Sequence, residues 1–160
     1  MTTMDDATNP FSRAAERLAR FGISVIPILP GTKRPAIKWG AYATRIADVS
    51  ERYEWFTVRG YQVAVVTGPV SGNLVILDYD GEHGFESHAE AYPPMLTYPR
   101  VRTGSGRVHI WLRTPEPTRK YVTTAPDRSR LEVRAGTHYC LCPPSVHPTG
   151  PSYRWEVQHA

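Results

Sequence analysis

The chain has 160 residues, 41% of them hydrophobic and 21% charged, with 12 Gly and 15 Pro, a composition that describes one loop-rich globular domain over residues 1–160 and leaves no room for two. Its net charge is only +4, and its two cysteines, Cys140 and Cys142, are too close in sequence to bridge without strain and too few for a four-ligand zinc site, so both read as buried apolar residues of a reducing compartment. The longest apolar run, residues 23–29, contains Ser24 and Pro27 and excludes a membrane span, and the start, with Asp5 and Asp6, is no signal peptide; the expected location is the cytoplasm.

Asn9-Pro10, then Phe11, Ala14, Ala15, Leu18 and Phe21, closed by Gly22, supply a cap, a first-turn proline, an apolar stripe and a glycine stop, and so predict one amphipathic helix. Residues 23–29 read as a buried strand, after which Pro30-Gly31 turns the chain into the basic loop Thr32-Lys33-Arg34-Pro35. A short helix is expected around residues 49–56. Residues 61–67 and 74–80 are β-rich runs separated by Gly68-Pro69-Val70-Ser71-Gly72-Asn73, which is either a hairpin or a short crossover. Residues 84–92 read as a helix ended by Pro93-Pro94, and strand-like runs follow at 97–102, 107–113, 130–135, 138–142 and 153–157. Six or seven strands with two or three helices, the late strands too closely spaced for helical crossovers, imply an α+β fold with a mainly antiparallel sheet.

Charge is unevenly spread. Residues 1–99 hold 9 Lys/Arg against 11 Asp/Glu, whereas residues 100–134 hold 9 against 3. Eight of those nine are arginines, whose planar fork suits phosphate oxygens. The segment is either a polyanion-binding surface or a solvated basic face.

Three strand-like runs carry chemistry. In Val75-Ile76-Leu77-Asp78-Tyr79-Asp80 the strand period places Asp78 and Asp80 on one face, about 7 Å apart, where they can converge on a divalent cation. Aspartates also end strands as turn formers, but an apolar strand rarely delivers two acids to its end unless something cationic sits there. Thr103-Gly104-Ser105-Gly106-Arg107-Val108-His109 is a small-residue turn entering a strand; its backbone N–H groups could approach a phosphate, with Arg107 and His109 as neighbouring donors, or it is a plain hairpin. Leu131-Glu132-Val133-Arg134 puts Glu132 and Arg134 on one face, alone no more than a solvated ion pair. Brought onto one sheet, the three runs would form a carboxylate triad ringed by cations, the requirement for two-metal phosphoryl or nucleotidyl transfer.

The order of these segments resembles the bifunctional primase/polymerase domain of the archaeo-eukaryotic primase superfamily. The resemblance runs through Asp78-x-Asp80 after an apolar strand, Ser105-Gly106-x-x-His109, Glu132 in Leu-Glu-Val-Arg-x-Gly, Pro143-Pro144-Ser145-x-His147-Pro148-x-Gly150 and Tyr153-x-Trp155, with Lys33-Arg34-Pro35 and Val65-Val66-Thr67-Gly68 upstream. It covers about residues 22–155 and implies a polymerase core on an RRM-like sheet. Carried over by position, Asp78, Asp80 and Glu132 would be the catalytic ligands of Mg²⁺ or Mn²⁺, and His109 would contact the incoming nucleotide's phosphates. Ser105, Arg107 and Arg134 would join the nucleotide site. Lys33 either binds phosphate or solvates its loop, and Ser145 and His147 either line the nucleotide pocket or belong to a stiff proline-rich turn. Trp39, Trp55, Trp111 and Trp155 read as core or rim aromatics, although Trp111 shares the polar face and could meet a base.

The implied partners are a DNA template, single-stranded or primed, and nucleoside triphosphates, with a fused or separate helicase or accessory domain to hold the DNA. Two departures stand out: Glu132 replaces a frequent Asp, and Arg107-Val108 stands where many relatives have another glycine. Two other readings use the same residues. A metal-dependent phosphoesterase or nuclease would hydrolyse without needing a triphosphate, and a noncatalytic single-strand-binding module would present aromatics where this sequence presents acids.

Overall fold

The computed structural model describes residues 9–158; the acidic start of the chain lies outside them. Helix α1 (Pro10–Arg20) begins where expected because the Asn9 side chain accepts hydrogen bonds from the N–H groups of Phe11 and Ser12 at 2.9 and 3.2 Å, satisfying donors that the first turn cannot. Strand β1 (Val25–Ile28) follows. The short helix α2 (Val49–Arg52) opens on a reciprocal cap between Asp48 and Glu51 and runs into a π-helical turn, Tyr53–Val58. That turn buries Trp55 and Phe56. Next come β2 (Gln62–Val66), β3 (Leu74–Tyr79), α3 (Gly84–Ala91), β4 (Arg100–Arg102), β5 (Val108–Arg113), β6 (Tyr121–Thr124), β7 (Arg130–Arg134), β8 (Tyr139–Leu141) and β9 (Arg154–Val157).

The fold is α+β with three α-helices and antiparallel pairing throughout the described residues. The strands form two sheets, one ordered β1-β2-β8 and the other β6-β7-β3-β5-β4-β9. The nine strands among the described residues exceed the six or seven expected, and eight of them fall in the strand-like runs read from the sequence. The one with no counterpart in the sequence reading is β6, all four residues of which are exposed, so it lacks the apolar pattern by which strands are recognised. Residues 68–73 are a crossover and not a hairpin, since β2 and β3 lie in different sheets.

The larger sheet is packed on both faces. Leu74, Ile76, Val101 and Trp111 join the smaller sheet, α1 and the π-helical turn in one core, while Val75, Leu77, Tyr79, Val108 and Ile110 pack with Phe85 and Ala89 of α3 in a second. Strand β3 is therefore apolar on both sides until Asp78. Its alternation then brings a carboxylate to the face that looks toward the smaller sheet. No helix among the described residues is long and apolar enough to cross a membrane. Cys140 and Cys142 are free and buried.

Candidate active site

The ladder of the larger sheet assembles the site. Asp78 on β3 lies directly opposite His109 on β5 and directly opposite Glu132 on β7, and directly opposed residues project from the same face. Three segments separated by tens of residues thus place an acid, an imidazole and a second acid in one row. Asp80 lies just past the end of β3, where its N–H donates to the Arg130 carbonyl at 3.0 Å, so Arg130 and Asp80 continue the row outward.

Asp78, His109 and Glu132 are 8%, 5% and 8% exposed, and buried charges persist only when paired. His109 Nε2 is 3.2 Å from Asp78 Oδ1, and its Nδ1 is 3.6 Å from Cys140 Sγ. Burial opposes a charged imidazole, but the Cys140 sulfur and the Asp78 carboxylate outweigh it and push the His109 pKa up to about 9. For Asp78 burial again opposes the charge, and His109 with Arg134 holds the carboxyl below its ordinary pKa. Arg134 donates to Asp78 Oδ2 through Nε at 3.0 Å, and its Nη2 pairs with the same oxygen at 2.9 Å. Glu132 is held low by Lys120, whose ammonium is 3.0 Å away, and by Arg134, against the effect of burial and of Asp78. Arg130 Nη1 meets Asp80 Oδ2 at 2.5 Å and Glu132 Oε2 at 3.3 Å.

A cavity of about 430 Å³ opens over this row, between the two sheets. It is bordered by Asp78, Asp80, Glu132, His109 and Arg134, and also by Ser105, Arg107, Lys33 and His147. Of the residues singled out in the sequence, Ser145 stands apart. It is wholly buried, and its hydroxyl donates to the Val63 carbonyl at 2.7 Å while accepting from the Val63 N–H at 2.9 Å, which is a structural clamp between the proline-rich turn and β2. Trp111 shares a face with His109, as alternation required, but is 5% exposed and packed edge-on against Trp155 with ring centroids 4.9 Å apart. It does not border the cavity over the acids.

The small-residue turn is tighter than its composition suggested. The Gly106 N–H donates to the Thr103 carbonyl, and the Arg107 N–H to Thr103 Oγ1, so two of the amides expected for phosphate are spent inside the turn. Gly104 is needed because a Cβ there would stand 2.1 Å from the His147 Cβ and 2.5 Å from the Pro151 carbonyl oxygen. This close approach keeps His147 at the cavity wall. The imidazole of His147 also bonds Thr149, its Nδ1 lying 2.7 Å from Oγ1.

Several cavity residues escaped the sequence reading: Lys120, His138 and Tyr139. Lys120 sits in the arginine-rich segment but carried no motif, and His138 and Tyr139 enter only because β8 pairs with β2 and faces the larger sheet. Cys140, read as an apolar filler, is buried yet borders the cavity against His109.

Three carboxylates are the donor set that hard divalent cations take. The arrangement is a different matter: among the described residues no group of three or more His, Cys, Asp or Glu side chains is disposed to hold a metal ion. Each carboxylate is instead turned toward a basic partner, Asp78 to His109 and Arg134, Asp80 to Arg130, and Glu132 to Lys120 and Arg130. The chemistry of the donors fits Mg²⁺ or Mn²⁺, and the ion pairs stand in its way.

A family model described as bifunctional DNA primase/polymerase, N-terminal, matches residues 14–160. A search among curated proteins found no match.

Proposed function

The chain belongs to the bifunctional DNA primase/polymerase family, and from that premise we propose that it joins nucleotides on a DNA template by nucleotidyl transfer centred on Asp78, Asp80 and Glu132. A DNA primase/polymerase acts on DNA and nucleotides; the finer assignment rests on the row Asp78–His109–Glu132, formed by direct cross-strand opposition at the floor of a cavity. In the proposed reaction the 3′-hydroxyl of a primer, or of an initiating nucleotide, attacks the α-phosphorus of a nucleoside triphosphate. A new phosphodiester bond forms, the α–β phosphoanhydride bond breaks, and pyrophosphate leaves.

Asp78, Asp80 and Glu132 would hold Mg²⁺ or Mn²⁺, which when bound polarises phosphoryl oxygens and lowers the pKa of the attacking hydroxyl. His109, whose two ring nitrogens face Asp78 and Cys140, would act on the triphosphate through its positive charge beside the cavity and not as a free donor. Arg134 holds Asp78 in place with two nitrogens, and Lys33, Arg107 and His147 offer positive or hydrogen-bonding groups around the cavity. The burial of Trp111 against Trp155 speaks against a noncatalytic stacking platform. We assign template holding in part to a helicase or accessory partner.

Primer extension on a DNA template, with Mg²⁺ and Mn²⁺ and with ribonucleotides and deoxynucleotides supplied separately, tests the reading. Asp80→Asn is the informative variant. Asp78 is buried against His109 and Arg134, so its removal would strand buried cations, whereas Asp80 is exposed. Asp80→Asn should lower incorporation by roughly 10²-fold or more with an unchanged circular dichroism spectrum. Undiminished incorporation would refute the assignment, and hydrolysis of nucleic acid without any triphosphate would favour a nuclease.

A further inference from the structure

Resting on the reading of Asp78, Asp80 and Glu132 as cation ligands, we propose that Arg130 competes with the divalent cation for Asp80 and Glu132, so that cation binding proceeds by displacing its guanidinium. The alternation of β7 puts Arg130, Glu132 and Arg134 on one face, and the bond from the Asp80 N–H to the Arg130 carbonyl aligns Arg130 with Asp80. One nitrogen, Nη1, then touches both carboxylates, at 2.5 Å from Asp80 and 3.3 Å from Glu132. A cation held by both carboxylates would need oxygens that this nitrogen engages.

The two occupants impose different spacings. Mg²⁺ draws oxygens to about 2.0–2.1 Å, closer than either Arg130 contact, so the oxygens that Arg130 engages are not placed for a shared cation while it stays. Among the described residues the donor set suits a hard cation, yet no group of three or more such side chains is disposed to hold one. Arg130 is also the basic partner best able to leave. Its side chain is 51% exposed, against 30% for Arg134, and a half-exposed ion pair is weak. Arg134 spends two nitrogens on a buried carboxylate, so withdrawing it would leave that charge uncompensated. Because a guanidinium does not deprotonate in the physiological range, the competition is steric and electrostatic, with no titration in it.

The test is Mn²⁺ binding to the whole chain, without nucleotide or DNA, followed by the electron paramagnetic resonance signal of free Mn²⁺. Arg130→Gln should tighten binding by roughly five- to tenfold, the effect of removing one charge at contact distance in a wet site, and higher salt should narrow the difference. Arg130→Ala should do the same. Arg130→Lys, which keeps the charge, should stay close to the parent, and Arg119→Gln should leave binding unchanged. Parent-like affinity in both Arg130→Gln and Arg130→Ala overturns the inference and leaves the functional reading standing. Equal tightening by Arg119→Gln also overturns it, since net charge alone would then be responsible. If the parent protein binds no Mn²⁺ at all, the carboxylate assignment falls and the inference with it.

Discussion

His109 lies between a carboxylate on Nε2 and a sulfur on Nδ1, and this double contact makes a 5% exposed imidazole a cation. The linkage has a definite sign. A histidine whose pKa rises from the ordinary 6.5 to about 9 on folding contributes stability that is fully present below about pH 6.5 and is lost as pH climbs through about 9. The metal-free protein should therefore lose several degrees of Tm between about pH 7 and pH 9.5, and His109→Gln should flatten that slope. Thermal melts across a pH series decide it; an undiminished slope in the variant would mean that another group carries the effect. At the same scale, Ser145 shows how a motif residue can be spent on structure, since both hydrogen bonds of its hydroxyl go to Val63.

Among elements, two of the three crossovers between the sheets among the described residues meet at a pair of glycines. The β2–β3 crossover passes Gly68 against Gly136 of the β7–β8 connection, and Thr67 ties them through Oγ1 to the Gly136 carbonyl at 2.7 Å. Gly68 has φ 92° and ψ −161°, a conformation essentially limited to glycine, and a Cβ there would lie 2.6 Å from the Gly136 carbonyl oxygen. Gly136 has φ 67° but no collision, the nearest atom to an added Cβ being the Thr118 carbonyl oxygen at 3.7 Å, an ordinary contact. Gly68→Ala should thus cost about 2–4 kcal/mol, strain plus collision, whereas Gly136→Ala should cost about 1–2 kcal/mol, strain alone. Urea denaturation of the two variants measures the difference, and equal losses would show that the close approach is not a constraint.

At the scale of the molecule, the arginine-rich segment is mostly occupied with the protein itself. Arg100 and Arg102 pair with Glu156, Arg113 donates to the Phe21 carbonyl, and Lys120, Arg130 and Arg134 hold the site carboxylates. Within residues 100–134 only Arg107, Arg119 and Arg128 make no ion pair or side-chain hydrogen bond among the described residues. Arg107 borders the nucleotide cavity, so two are left for the template, and two phosphate contacts on a single strand give a slope of about −1.4 in log K against log salt. Fluorescence anisotropy of a labelled single strand across a salt series should show that shallow slope and weak binding at physiological salt. Such weakness suits a catalytic unit tethered to a DNA-holding partner. A slope far steeper would mean that the paired arginines also leave their carboxylates to meet DNA.

The sequence by itself determined which segments form elements and which residues carry charge, because those properties are local: the Asn9 cap, the apolar approach to Asp78, and the alternation that put His109 and Trp111 on one face of their strand and Glu132 and Arg134 on one face of theirs. It also held the order of motifs that the family model matches. Only the tertiary structure decided that Asp78 faces both His109 and Glu132 directly, since strand register is fixed by pairing between segments distant in the chain. Strand β6 and the cavity residues His138 and Tyr139 were likewise invisible locally, as their roles come from which neighbour they pair with and not from their own pattern. The partners of the arginines were the least legible feature. A charge in a sequence is the same whether it meets water, a phosphate or a carboxylate, and packing alone turned most of this basic segment inward onto the acids it was expected to stand beside.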